Sequence, residues 1–204
     1  MLLHWSPKSP YVRKVMVCVH ELPQLPKIAL VRTVAAMLKP NDALMLDNPL
    51  SKIPTLVLDD GTALFDSAVI CEYLNALAQG ALFPPAGAPR WQALRWQAFG
   101  DGLLDALILW RNERERSDTT RSAQLLLAFE VKTHAALVRL EVEAAELVDA
   151  PYSIGHVTLA CALGYLDFRF ADLEWRAGAP VLAAWYATQQ VRPAFVATEP
   201  TLDG

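Results

Sequence analysis

Glycine is missing from the first sixty residues of this 204-residue chain. A phosphate-cradling loop at the start would need glycines to let the backbone approach its ligand, so none opens the chain. Cysteine occurs three times, as Cys18, Cys71 and Cys161, and never in a CxxC pair. An odd, scattered set excludes a disulfide framework and a zinc ribbon, and reads as small apolar core residues in a reducing compartment. The four histidines, His4, His20, His134 and His156, lack metal-ligand spacing, so no metal is expected. No uninterrupted apolar run approaches the roughly 18 residues that span a membrane. The opening MLLHWSPKSP has no basic stretch followed by an apolar one, so no secretory leader is expected there. Lys and Arg number 18 against 22 Asp and Glu, a net charge of −4. Phosphate contacts need clustered basic residues, so neither nucleic acid nor a membrane is expected as a partner, and the reading is a cytoplasmic globular protein.

What is present is apolar: 53% of the residues, enough for a real core. Two halves differ in their grammar. In residues 1–78 seven basic residues balance seven acidic ones, so the net charge falls on the remainder. The Gly/Pro-rich GALFPPAGAP between them breaks periodicity, giving a linker over 79–89. The first half alternates: a strand at 2–5, an amphipathic helix at 10–22, a strand at 28–33, and a short helix or loop at 35–47 interrupted by Pro40. A hairpin follows, 55–59 and 63–65 around Asp60-Gly61, and then a helix at 67–78. The second half, 90–204, reads as all helix: 90–116, 118–147 capped by Asp118, an all-round apolar helix at 154–168, and 180–190 opened by Pro180.

Particular stretches within this pattern resemble one family. SPKSPYVRKV (6–15) and NPLSKIPTLVLDDGTALFDSAVICEYL (48–74) look like the thioredoxin-like domain of a glutathione S-transferase. GHVTLACALGYLDFR (155–169) looks like that family's buried central helix, and PVLAAWYATQQVRPAFVATEP (180–200) like the end of its helical domain. The resemblance covers nearly the whole chain in order. It implies an α+β thioredoxin-like domain (βαβ-ββα, residues 1–78) followed by an all-α helical-bundle domain (90–204), assembled as a homodimer. Glutathione would be the co-substrate, with no metal, and a small electrophile the second substrate. Because one fold hosts many reactions, family membership alone does not fix this one.

Only a thiolate is a good nucleophile, and a free thiol has a pKa near 8.5. Lowering it by two units takes about 2.7 kcal/mol, within reach of one or two charge-assisted hydrogen bonds beside a helix N-terminus. Ser9 fits the N-cap before Pro10, and the resemblance makes it the catalytic hydroxyl that donates to the glutathione sulfur. As a residue alone, Ser9 is a helix cap. Ser6 also precedes a proline, and Tyr11 is the hydroxyl of a Tyr-type alternative. The resemblance further implies a cis bond between Ile53 and Pro54, with the backbone of Ile53 pairing with the cysteinyl unit. Asp66 and Ser67, at the start of a helix, would hold the γ-glutamyl ammonium and carboxylate; an Asp/Ser cap is the plain alternative. Lys52 and Lys39 would neutralise the glycine carboxylate. Arg13 is open between this site and a helix contact, and Asp101 is a weaker counterpart of an acid that some relatives extend across a dimer. Tyr11, Met37, Leu103, Leu107, Trp110 and Arg111 are candidate walls of the electrophile pocket, with core packing the alternative for Leu103 and Leu107.

Two other readings stand beside conjugation: an isomerase or dehalogenase using glutathione on the same fold, and a non-catalytic interaction or regulatory protein. One departure from the family pattern has a physical cost. Relatives open the buried helix with Ser/Thr-x-x-Asp, a reciprocal cap; here the run is Ser153-Ile154-Gly155-His156, so half the cap is expected to be lost, at about 1 kcal/mol or less.

Overall fold

In a computed structural model, residues 1–23 and 25–202 are described. The chain divides into two compact units, Met1–Arg90 together with the segment from Pro193 on, and Trp91–Arg192.

The first unit is built on a four-stranded sheet in the order β2-β1-β3-β4. Strand β1 (Leu2–Trp5) runs parallel to β2 (Ala29–Arg32) and antiparallel to β3 (Thr55–Val57), which pairs with β4 (Ala63–Leu64). Helix α1 (Pro10–Glu21) supplies the crossover from β1 to β2, since parallel neighbours cannot be joined by a tight turn. Between β2 and β3 the uncertain stretch 35–47 resolves into one helical turn, α2 (Asp42–Met45), capped by Asn41 beyond Pro40. The β3–β4 hairpin turns at Gly61, whose φ of +85° only glycine adopts freely. Helix α3 (Ser67–Leu77) packs on α1; Ile70, Cys71 and Leu74 of α3 and Val12, Val15 and Cys18 of α1 are buried. The sequence reading places the last segment with the helical domain. Its helix α8 (Pro193–Ala197) packs on α1, and Arg13 Nη2 donates to the Phe195 carbonyl at 3.3 Å with its guanidinium over the Phe195 ring. Arg13 therefore makes a helix contact.

The second unit holds α4 (Ala88–Arg114, the unit boundary falling in its first turn), α5 (Ala123–Asp149), α6 (Ile154–Arg169) and α7 (Pro180–Gln190). Helix α5 starts later than expected. Ser122 caps it by accepting from the Leu125 N–H at 3.3 Å, and the Ser122 N–H donates to Glu113 at 2.6 Å. Asp118, expected as the cap, instead pairs with Arg121 in the preceding turn. Every residue of α6 from Ile154 to Leu166 is buried, as its all-round apolar sequence requires. Gly155 lets α6 approach α4 closely: a Cβ there would lie 2.7 Å from Trp96 Cβ and 2.8 Å from the Ala93 carbonyl. Between α6 and α7 run two 3₁₀ turns, 171–173 and 175–178, joined by Glu174 at φ +44°. Helix α4 is tied to α5 through Glu143, which is 3% exposed and accepts from both Arg95 Nη atoms, Arg139 Nε and, at 2.8 Å, Trp96 Nε1.

The cap of α6 is complete, contrary to expectation. His156 Nδ1 accepts from the Ser153 N–H at 3.1 Å, doing with an imidazole lone pair what a carboxylate would do. An accepting Nδ1 places the ring proton on Nε2, which donates to the Leu147 carbonyl at 3.1 Å. The cysteines are free thiols, and all three are buried. No described helix is long and apolar enough to cross a membrane.

Candidate functional site

Strand register brings the candidate residues to one end of the sheet. His4 lies opposite both Val31 and Thr55, and Leu56 opposite Leu64. The chain therefore leaves β1 (6–9), leaves β2 (33–39), enters β3 (52–54) and leaves β4 (65–67) at the same edge. Helices α1 and α3 both begin there, so the positive ends of two helix dipoles lie on that side.

Each segment offers an uncommitted group. Ser9 caps α1 by accepting from the Val12 N–H at 3.3 Å. That bond uses an oxygen lone pair and leaves the hydroxyl proton to donate elsewhere. The Ile53–Pro54 bond is cis, and among the described residues nothing hydrogen-bonds the N–H or C=O of Ile53. Asp66, which follows a second cis bond at Phe65–Asp66, caps α3 through one oxygen, Oδ1 accepting from the Ala68 N–H at 2.9 Å. Ser67 is 3% exposed, and no group of the described chain bonds its hydroxyl. Lys52 and Lys39 are exposed, Lys52 beside Ile53 and Lys39 on the segment that follows β2. Ser6 is buried and accepts weakly from the Lys8 N–H at 3.4 Å.

A clasp missed by sequence reasoning holds this edge. Asn48, 1% exposed, donates through Nδ2 to the Lys52 carbonyl at 3.1 Å and to Thr55 Oγ1 at 2.9 Å, while its Oδ1 accepts from the Leu50 N–H. The Thr55 hydroxyl donates to the same Lys52 carbonyl. These bonds fix the 48–55 turn that presents Ile53. His4 adds a second brace, its Nε2–H donating to Asp47 at 2.8 Å while Nδ1 bonds Thr33. The available signal was the Asn-Pro turn at 48–49, where an Asn side chain commonly bonds the backbone two residues on.

The candidate pocket walls separate by exposure. Leu103, Leu107 and Trp110 are buried, Leu107 completely. Tyr11 and Arg111 are half-buried and Met37 is exposed, so these three have surface to offer a ligand. Arg111 bonds Asn112 at 2.7 Å and Tyr165 at 3.5 Å and lies 3.4 Å from Glu115.

Residues 8–77 match the family model of the glutathione S-transferase N-terminal domain, and residues 113–188 that of the C-terminal domain. The chain belongs to the glutathione S-transferase family. It is similar to a glutathione transferase family member of Pseudomonas fluorescens Pf-5 solved with bound glutathione, at 45% identity and a TM-score of 0.93, over 98% of this chain and 99% of that one. A Pseudomonas fluorescens Pf-5 family member with bound S-(propanoic acid)-glutathione matches at 42% identity and 0.90, over 99% and 100%. The GST-like protein YibF of Escherichia coli K12 is 31% identical over 159 residues, 75% of this chain and 77% of its own. The fold is that of the family: a small mixed four-stranded sheet with helices, followed by a helical domain.

Proposed function

We propose that this transferase binds glutathione at the sheet edge and adds its sulfur to a small, mainly apolar electrophile in the cytoplasm. The observation that carries the reading is the convergence of three unspent groups there: the Ser9 hydroxyl proton, the backbone of Ile53 and the Ser67 hydroxyl at the start of α3. Glutathione supplies a thiol nucleophile, a γ-glutamyl zwitterion and a glycine carboxylate. Ser9 donates to the sulfur and holds it as the thiolate. Ile53 pairs with the cysteinyl amide in strand fashion. Ser67 and the first N–H groups of α3 take the γ-glutamyl carboxylate, and the free oxygen of Asp66 takes the ammonium. Lys52, with Lys39, balances the glycine carboxylate. A C–S bond then forms, and the electrophile either gains a proton or releases its leaving group. Tyr11, Met37, Leu103, Leu107, Trp110 and Arg111 remain the proposed pocket walls. The S-(propanoic acid)-glutathione held by the Pf-5 relative supports thioether formation as the reaction class.

The residue division is proposed as 1–78, 79–89 and 90–204, and the active form as a homodimer. Exposed apolar side chains at Leu46, Leu50 and Val69 support an assembled state.

Calorimetric titration with reduced glutathione tests the site. The wild type is expected to bind, and Ser67→Ala to bind about tenfold more weakly. No binding at millimolar glutathione would move the reading to an interaction protein. Glutathione recovered unchanged alongside a rearranged product would move it to an isomerase.

A further inference from the structure

The helical unit contains a cavity of about 400 Å³ whose lining shares Trp110 alone with the proposed electrophile pocket. Its floor is Trp110 of α4, Thr133 and Leu137 of α5, and Trp175 of the second 3₁₀ turn, all buried. Its rim carries Glu130, His134 and Glu174, all exposed. We propose that this cavity is a second ligand site, for a small organic cation with an aromatic or flat apolar body.

Four observations converge on that chemistry. First, the aromatic walls are preset. The Trp175 Nε1–H donates to Asp167 at 2.9 Å, and Trp110 stacks on Phe170 at 4.8 Å, so both indoles are held without a ligand. Indole faces favour flat apolar groups and cations alike. Second, the charges near the rim do not cancel. Arg176 is paired with Asp167, and Arg114 with Asp172, while Glu130 and Glu174 have no ionic partner among the described residues. His134 is the one basic side chain on the rim. Third, the Thr133 hydroxyl is buried without a hydrogen-bond partner in the described chain. Thr158, also in a helix, and Thr198, just past the end of α8, donate to the carbonyl four residues back at 2.8 Å; Thr133 does not. A buried hydroxyl left unpaired costs about 1–3 kcal/mol, which a ligand donor or acceptor would recover. Fourth, Glu174 stands at φ +44°, a conformation costly for a residue with a side chain, and it holds that carboxylate at the rim.

The test uses three probes of one shape and different charge on the full-length protein at pH 8 and low salt: 2-phenylethylammonium, 2-phenylethanol and 3-phenylpropanoate, titrated by calorimetry. The cation is expected to bind about tenfold more tightly than the alcohol, with the carboxylate weakest, and the preference should shrink as ionic strength rises. Glu130→Gln and Glu174→Gln, both on the surface, should each reduce the cation's advantage about threefold while leaving glutathione affinity unchanged. Thr133→Val, nearly isosteric, should change probe affinity without unfolding the unit. Equal binding of the three probes overturns the proposal. So does failure of all three at 10 millimolar, or a cation preference that survives the double Glu130→Gln/Glu174→Gln variant.

Discussion

The backbone N–H of Ser153 donates to Nδ1 of His156 across 3.1 Å, so a histidine closes the cap of the most buried helix in the chain. The bond exists only while the imidazole is neutral. Burial, helped by the nearby Arg192 charge, pushes the His156 pKa below its ordinary value, although the bond to Leu147 works the other way.

Stability should therefore depend on pH in a definite direction. The folded state binds this proton more weakly than the unfolded one, so the contribution is whole above about pH 6.5 and declines as pH falls below it. Thermal melts between pH 8 and 5 should show that loss. His156→Asn, whose amide oxygen still accepts from Ser153 but does not titrate, should melt lower overall and with a flatter slope. His156→Ala should cost about 3 kcal/mol through the lost cap and the cavity among Trp96, Tyr152 and Trp185.

A second acid-sensitive tie is Glu143. Burial alone would raise its pKa, but hydrogen bonds from Arg95, Trp96 and Arg139 outweigh it and bring the value down to about 2. A depressed carboxylate stabilises the fold above its unfolded pKa and loses that contribution as pH falls from about 4.5 towards 2. Because Arg95 and Arg139 are about half exposed, screening limits the effect to about 2 kcal/mol. Urea melts at pH 7 should show roughly that loss in Glu143→Gln, and at pH 3 a smaller difference from wild type.

Ser9→Ala separates two roles. Losing the cap of α1 should cost about 1 kcal/mol of stability. Losing the donor to sulfur should raise the pKa of bound thiol by one to two units, which lowers turnover near pH 7 about twentyfold and moves the pH–rate profile upward. Turnover unchanged at pH 7 would remove Ser9 from the chemistry.

Asn48→Ala tests the clasp. It leaves the Lys52 carbonyl and Thr55 hydroxyl short of a donor, so stability should drop by about 1–3 kcal/mol. Glutathione affinity should fall as the 48–55 turn loosens, although Asn48 is 1% exposed and offers almost no surface to a ligand.

Legibility followed the reach of the forces involved. The strand at 2–5 and the helix at 180–190 are local matters, a short apolar run and a proline at the first helical position, and both lie where the sequence places them. The start of α5 was decided at a distance. SDTTRS offers several caps, and the Glu113 carboxylate that accepts from Ser122 selects one. The five-residue α8 and the 3₁₀ turns are too short to carry a period. Ser9, Asp66 and Ser67 are legible as helix caps, and as a candidate site only through the family motif around them. The Asn48 clasp and the walls of the helical cavity join residues distant in sequence, so no local pattern announces them.

A protein proposed to hold another molecule's sulfur as an anion keeps all three of its own thiols shut away. Cys18, Cys71 and Cys161 have no accessible surface. The native chain should not form mixed disulfides with oxidised glutathione, even when that pool is large. It also carries a built-in clock, because each thiol meets a water-borne alkylating reagent only when its surroundings open. With Cys18 and Cys71 in the first unit and Cys161 in the second, the order in which they react reports which unit opens first.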